Sequence, residues 1–203
     1  LQRNGQGRAI IGDPRNDENI LISQMQLLFI KFHNKVYDTE FADMPHGRAR
    51  FEAAQTFVRW HYQWLVMNEF LPRIVGSHLA AAEIAAPSYE FSTDHAFMPV
   101  EFSVAAYRFG HSQVRPGYLL GAGRGAALFP GDADAAFGTG DLRGFRPVPP
   151  ELLVDWAFFF GPGGPPSSGQ DSKKVDTLIS TVLLKLPTGV VPQGDTLVGK
   201  RRS

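Results

Sequence analysis

Apolar residues fall into three long helical stretches, separated by polar or by proline- and glycine-rich segments. The first stretch, ENILISQMQLLFIKFHNKVY, predicts a helix over about 18–37 with Asp17 as its N-cap. Its apolar residues are so dense that we expect burial on several sides. The second stretch predicts a helix over about 49–70. Pro72 either ends this helix or begins the next turn.

A third helix is expected from Pro99, a favoured residue of the first helical turn, to about Arg115, before Pro116. One stripe of this segment follows a 4-3-4-3 spacing: Val100, Val104, Tyr107, His111 and Val114. Because the other four residues of the stripe are apolar or aromatic, the spacing predicts that His111 lies on the packed face of the helix.

Beyond the third helix, frequent glycine and proline predict an irregular segment over 117–150, with at most short strands. A short helix is predicted over about 150–160 and an amphipathic piece near 172–185, with a flexible loop between them. The predicted helices together indicate a mainly α fold. Since no repeat or domain boundary is visible, we expect residues 1–203 to form one partial domain. We interpret the polar start and the GKRRS end as cuts in a longer chain.

Composition argues against several classes of function. Lysine plus arginine and aspartate plus glutamate number 20 each, so no net charge attracts nucleic acid or an anionic membrane. The absence of cysteine removes disulfides, thiolate metal sites and thiol catalysis. No apolar run reaches the roughly 18 residues that span a bilayer. We therefore expect a soluble chain without nucleic-acid partner or membrane span, and the composition leaves its compartment, including secretion, open.

The six histidines are candidates for metal binding or catalysis. His61 stands among aromatic residues and is interpreted as a hydrogen-bonded core residue, and His95, preceded by Asp94, is placed in a loop. His111 is central on an apolar face, and the missing side chain of Gly110 beside it would let a flat group approach. A neutral imidazole suits haem iron as an axial ligand, although a lone histidine on an apolar face is more often structural.

Two glycine-containing motifs flank the central part of the chain. GAGRGA at 121–126 has the form of a dinucleotide-binding loop, and we reject it because the preceding residues lack the pattern of a strand. IGDPRNDEN at 11–19 predicts a turn with Arg15 just before a helix, and with Asp17 and Glu18 where carboxylates suit the helix dipole. From local chemistry alone, Arg15 is a surface pairing partner.

Two motifs together resemble those of the animal-type haem peroxidases, the peroxidase–cyclooxygenase superfamily. YRFGHSQVRP is similar to the family's proximal-histidine helix, which often reads Phe-Arg-Tyr-Gly-His. GDPRNDENILISQMQLLFIKFHNKV is similar to its Gly-Asp-x-Arg-x-x-Glu segment, which leads into a helix ending in His-Asn. The two motifs stand in the family's order and at about its spacing, and the flanking residues are similar to bacterial members. The resemblance covers nearly the whole chain, most securely 11–118.

The resemblance implies a haem b peroxidase that reduces hydrogen peroxide while it oxidises small electron donors, with a role in the response to oxidative stress. His111 matches the proximal iron ligand, Arg108 an arginine that pairs with a haem propionate, and Arg15 the distal catalytic arginine. Glu18 matches the glutamate that mammalian members can link to a haem methyl group. Asn19 replaces a methionine that one member links to a haem vinyl group, so that bond is impossible here.

The family's pattern extends past both ends of this sequence. In the family, the distal histidine and the calcium-binding loop precede the arginine motif, and an asparagine that orients the proximal histidine follows the present residues. We therefore expect calcium only in a longer protein, and a catalytically incomplete haem-binding fragment is one alternative. A fatty-acid dioxygenase is another. Its tyrosine, three residues before the proximal histidine, is Arg108 here, and Tyr107 points about 100° away on a helix.

Overall fold

The computed structural model describes residues 1–87, 97–129, 140–160, 170–184 and 186. By their internal contacts the residues form two compact units, Leu1–Met25 with Met98–Ser203, and Gln26–Phe97. Helices dominate the described residues, and their one sheet has two strands. The mainly α fold is therefore confirmed.

The bounds of the described elements follow the chain. The α-helices are α1 (Ile20–Thr39), α2 (Arg48–Leu65), α3 (Leu71–Val75), α4 (Ser77–Ala85), α5 (Val100–Val104) and α6 (Trp156–Phe160). A π-helical turn at Val66–Phe70 joins α2 to α3, and 3₁₀ helices span Pro14–Asp17, Ala106–Ser112, Pro150–Leu152 and Thr181–Leu183. The strands β1 (Gly117–Gly121) and β2 (Arg124–Ala127) form an antiparallel hairpin.

Helix α1 begins two residues later than predicted. The side chain of Asn19 accepts a hydrogen bond from the backbone N–H of Leu21 at 2.8 Å, which satisfies one donor of the first turn. The prediction of Asp17 as the N-cap is therefore wrong, because its carboxylate binds Arg3 instead. The predicted burial of α1 on several sides is also wrong, since Ile20 and Val36 are the only buried apolar residues among the described residues of α1, and Ile22 and Ile30 are 49% and 36% exposed.

The unit Gln26–Phe97 is held together internally by polar and aromatic contacts. Buried Arg50 on α2 donates to the backbone carbonyl of Tyr37 on α1 from Nε at 2.9 Å and from Nη2 at 2.7 Å, and it stands over the Tyr37 ring. His61 is exposed, with its Nδ1 2.8 Å from the carbonyl oxygen of Phe57. The hydrogen-bonded part of the prediction for His61 is thus confirmed, and its placement in the core is wrong.

The π-helical turn precedes Pro72, near the predicted end of the second helix. Proline has no N–H to donate to the carbonyl four residues earlier, and its ring crowds that carbonyl. The N–H of Leu71 bonds instead to the carbonyl of Val66, five residues back, which widens this turn.

A small apolar cluster forms the core of the other unit. Its buried members come from four separate parts of the chain: Ile20, Leu120, Ala126, Leu142 and Leu152. Gln24 of α1 lies beside this cluster, where its amide nitrogen donates to the carbonyl of Leu152 at 2.9 Å and its oxygen accepts from the N–H of Val154 at 2.9 Å. Each of these long-range bonds gives a backbone group a hydrogen-bond partner that the sequence pattern does not predict.

The predicted third helix is interrupted. Helix α5 ends at Val104 because Ala105 leaves helical geometry, with φ −124° and ψ −75°, and a 3₁₀ helix follows. The predicted packed stripe is wrong, since Val100, Val104 and Tyr107 are 68%, 64% and 62% exposed. A 4-3-4-3 spacing marks one face only at 3.6 residues per turn, and a 3₁₀ helix has 3.0.

The predictions for the residues from 117 onwards are partly confirmed and partly wrong. The expected irregular segment with short strands is confirmed by β1 and β2, whereas the helix expected over 150–160 is broken into a 3₁₀ turn and α6. The amphipathic piece near 172–185 contains only the 3₁₀ turn Thr181–Leu183 among its described residues. The loop expected over 161–170 falls outside the described residues except for position 170.

Strand β1 precedes the GAGRGA motif, so the prediction that no strand stands before it is wrong. The motif forms the hairpin turn, with Gly123 at φ 66°, and it leads into β2. A dinucleotide-binding loop opens a helix, so the rejection holds for a different reason.

Candidate functional site

His111 and Arg108 line the same open groove, which has a volume of about 370 Å³. One wall comes from the end of α5 and the 3₁₀ helix Ala106–Ser112, and the other from the segment Asp176–Ile179. Its volume lies within the range of about 300–1,000 Å³ that is typical of small-molecule sites. Two of the site residues expected from the sequence are thus brought together.

The break after α5 determines how these side chains are presented. The N–H of Arg108 bonds to the carbonyl of Ala105 at 2.9 Å, and its Nε donates to the carbonyl of Ser103 at 3.1 Å. This second bond holds the guanidinium stem against the preceding turn. A Cβ added to Gly110 would meet nothing within 4 Å, so the space beside its backbone is open, as expected for the approach of a flat group.

The segment 173–180 is pinned to the 3₁₀ helix by hydrogen bonds. The carbonyl of His111 accepts from the N–H of Ser180 at 3.0 Å, and the hydroxyl of Ser112 accepts from the N–H of Asp176 at 3.3 Å. Sequence reasoning missed this wall of the groove. No local signal could have revealed it, because more than 60 residues separate the partners of these hydrogen bonds.

The polar groups of the groove are only partly engaged. Among the described residues, the imidazole nitrogens of His111 have no hydrogen-bond partner, and Arg108 uses only Nε. The site therefore offers one imidazole lone pair and four guanidinium N–H donors, which suit a metal-bearing ligand with anionic substituents. Asp176, whose Oδ1 accepts a hydrogen bond from the N–H of Leu178 at 2.7 Å, also lines the groove. The rest of the lining is Val104, Ala105, Phe109, Thr177, Leu178 and Ile179.

Arg15 and Glu18 lie on a different segment and do not line this groove. Arg15 is in the 3₁₀ helix Pro14–Asp17, and its side chain is 79% exposed. It donates to the carboxylate of Asp13 from Nε at 3.0 Å and from Nη2 at 2.6 Å. Glu18 is exposed at the end of the same turn.

Asp13 serves as the N-cap of this turn as well as the partner of Arg15. The backbone N–H of Arg15 donates to its carboxylate at 2.9 Å. The side-chain bond from Arg15, assisted by this backbone bond and by the positive charge, lowers the pKa of Asp13 to about 2. The same carboxylate raises the pKa of Arg15, which is therefore a permanent cation.

Other candidate sites receive less support. The described residues contain no group of three or more His, Cys, Asp or Glu side chains that could hold a metal ion. Asp94 and His95, expected in a loop, lie outside the described residues. Across the part of the chain that the structure describes, we find no helix with both the length and the apolar character needed to cross a membrane.

A single match to a known family covers both motif-bearing segments of the chain. The family model described as animal haem peroxidase matches residues 2–126, more than half of the chain. A peroxidase-like protein of Margaritifera margaritifera is 33% identical over 112 residues, which cover 51% of this chain and 14% of that protein. Chorion peroxidase of Drosophila melanogaster is 32% identical over 111 residues, 51% of this chain and 14% of its own length.

Dual oxidase of Drosophila melanogaster is 30% identical over 112 residues, which cover 53% of this chain and 7% of that protein. The chain thus matches only 7% to 14% of the length of these three relatives. No solved structure matches the chain significantly.

Proposed function

Since this chain belongs to the animal haem peroxidase family, we propose that it is part of an enzyme that reduces hydrogen peroxide with haem b while oxidising small electron donors. The observation that carries the proposal is the groove shared by His111 and Arg108. Bound haem would supply the redox chemistry of the reaction. The residues of this chain would hold the cofactor, set its orientation and stabilise charge.

The donor set of the groove fits haem better than a bare metal ion. A bare metal ion would need several protein ligands, whereas haem iron, already held by its porphyrin, would need one nitrogen from the protein. His111 offers that donor, because neither of its ring nitrogens is engaged within the described residues. Arg108 would bind a propionate of the cofactor with the guanidinium N–H groups that it does not use for Ser103.

Arg15 would act on the peroxide side as a fixed positive charge. Its paired contact with Asp13 engages Nε and one N–H of Nη2, which leaves three N–H groups without a partner in the described residues. Held in this way, the guanidinium loses little further conformational freedom when it stabilises negative charge on a departing oxygen. Glu18, three residues further on, is proposed as a third residue that contacts the cofactor, beside His111 and Arg108.

The alternatives receive no comparable support. In a fatty-acid dioxygenase a tyrosine would stand at position 108, and the neighbouring Tyr107 packs against Phe102 at 5.5 Å and does not line the groove. A haem-binding module without turnover is distinguished by the experiment below. Calcium binding is proposed only for a longer protein. Secretion also remains a proposal, supported by the name of the chorion peroxidase.

Haemin titration of the wild type and of His111→Ala tests the proposal. We expect a sharp Soret band in the wild type that is lost or clearly shifted in the variant, because the axial nitrogen is removed. His78→Ala is the matched control, since His78 is exposed on α4 and does not line the groove. Identical spectra for the wild type and His111→Ala would contradict the role of His111 as ligand.

Turnover is measured on the same samples with hydrogen peroxide and a small aromatic donor. Arg15→Ala should lower the rate of peroxide reduction without changing the ferric Soret band, because its charge acts on the reacting oxygen and not on the iron ligand. Turnover by the wild type would refute the haem-binding module without turnover. Oxygen uptake with linoleate that forms a lipid hydroperoxide would favour the dioxygenase.

A further inference from the structure

The segment that carries Arg15 is anchored by a buried ion pair. Asp17 is 2% exposed and accepts two parallel hydrogen bonds from Arg3, at 2.7 Å from Nη1 and 2.8 Å from Nη2. Arg3 is itself 11% exposed and also donates to the backbone carbonyls of Gly7 and Arg146. Two parallel bonds of this kind fix the direction of both side chains.

A second part of the chain pairs with the same segment through its backbone. Residues 141–146 run beside 17–20 and are joined to them by three hydrogen bonds: the N–H of Phe145 to the carbonyl of Asp17 at 2.8 Å, that of Gly144 to Glu18 at 2.9 Å, and that of Ile20 to Leu142 at 2.9 Å. These bonds satisfy backbone groups between the end of Arg15's turn, at Asp17, and the first residue of α1, Ile20.

The approach of the two backbones requires a glycine. A Cβ added to Gly144 would stand 1.6 Å from the carbonyl oxygen of Asp17, a distance that no rearrangement of a side chain could relieve. The next residue, Phe145, has a positive φ of 55°, which is unfavourable for a bulky side chain. Its bond to Asp17 holds it there, as is typical of strain maintained by surrounding structure.

The pairing segment is also braced internally. Asp141 accepts hydrogen bonds from Arg143 and Arg146 at 3.0 Å each, and Arg146 donates further to the carbonyl of Asp141. Burial works against the charge of Asp141, but the hydrogen bonds from Arg143 and the nearby guanidinium charges outweigh it and lower its pKa. The segment therefore keeps its bend while it contacts Asp17.

We propose that Arg3, Asp17 and residues 141–146 form a clasp that positions Arg15 and Glu18 for their roles at the peroxide side of the site, an inference that rests on the proposed function. The clasp joins a pair inside the family match at 2–126 to a segment that lies outside it. Arg3, Asp17 and Gly144 are positioning residues, since they act through the backbone of 13–19 and not on a substrate.

Gly144→Ala tests the backbone half of the clasp. Gly12→Ala is the matched control, because the same methyl group at Gly12 would meet nothing within 4 Å. We expect the amides of 13–20 to exchange hydrogen at least about tenfold faster in Gly144→Ala than in the control. Exchange over 106–112 should stay unchanged, which shows that the rest of the unit is folded. Equal exchange over 13–20 in the two variants would overturn the clasp.

Arg3→Met tests the ion-pair half and covers the case in which Gly144→Ala does not fold. It should raise exchange over 13–20 in the same way, and Arg3→Lys should give an intermediate rate, since an ammonium group cannot make two parallel bonds to Asp17. An Arg3→Met protein with wild-type exchange over 13–20 would also overturn the proposal.

The pKa of Asp13 separates positioning from a merely structural role. It depends on Arg15 staying beside Asp13, and in the wild type it is about 2, against an ordinary value of 3.8. In Gly144→Ala and Arg3→Met we expect it to move towards 3.8. Faster exchange with an unchanged pKa would refute the positioning of Arg15. Neither measurement uses haem, so a failure of haemin binding would refute the proposed function and leave these results standing.

Discussion

The contact between Asp13 and Arg15 permits a quantitative prediction about the arginine proposed for the peroxide side. Arg15 stabilises the Asp13 carboxylate in three ways. Its guanidinium donates hydrogen bonds, its backbone N–H donates another, and its positive charge attracts the carboxylate. Together they lower its pKa from 3.8 to about 2. The side-chain hydrogen bond is the largest of these causes and the backbone bond is the second.

Arg15→Ala removes the guanidinium but keeps the backbone N–H. We therefore expect the pKa of Asp13 to rise clearly above about 2 while remaining below 3.8. Arg15→Lys should give a smaller rise, because it keeps the charge and loses the paired contact. Arg59→Ala, on the exposed surface of α2, is the matched control and should leave the pKa unchanged.

The assay is an NMR titration of the Asp13 carboxyl carbon in the folded protein. Since folding lowers this pKa, the contact stabilises the folded state above the unfolded pKa of 3.8, and this contribution disappears as the pH falls towards about 2. The pair is exposed, so the change in stability will be small and the titration is the decisive readout. A wild-type pKa near 3.8, or a pKa still near 2 in Arg15→Ala, would refute the reasoning.

Two further predictions concern the scaffold. Gln24→Leu leaves the carbonyl of Leu152 and the N–H of Val154 without their partner, at a cost of about 1–3 kcal/mol for each group, so urea unfolding should show a loss of about 2–6 kcal/mol in stability. Gln63→Leu on exposed α2 is the control, and an equal stability of the two variants would contradict the role of Gln24. Arg50→Met removes two charged hydrogen bonds to the carbonyl of Tyr37, so the last turn of α1 should exchange hydrogen about tenfold faster, whereas Arg48→Met, whose ion pair is exposed, should have little effect.

The sequence alone predicted those structural features that depend on local composition. The long apolar runs indicated α1 and α2, and the glycine-rich stretch over 117–150 indicated an irregular segment with at most short strands, of which the structure has β1 and β2. The resemblance carried by two motifs agrees with the family match. Helix ends were less certain, since Asp17 and Asn19 are both good capping residues and only the burial of Asp17 against Arg3 decides which one caps α1.

The spacing around His111 shows where a periodic pattern misleads. The spacing assumed an unbroken α-helix, but Ala105 departs from helical geometry and the chain continues as a 3₁₀ helix, with Val104 and Tyr107 of the expected stripe exposed. The pairing of His111 with Arg108 in one groove was nevertheless expected from the motif. The second wall, at 176–179, was not, because a contact between distant segments leaves no periodic mark on either.

The sequence by itself therefore determined the fold class, the family and the chemical groups on offer: an imidazole, two arginines and a carboxylate at set positions along the chain. Only the tertiary structure decided that Asp17 is buried against Arg3 and that Gly144 must be a glycine. The physical reason is that side-chain type and local spacing are written in consecutive residues, whereas burial, long-range hydrogen bonds and the close approach of two backbones arise only once distant segments share the same space.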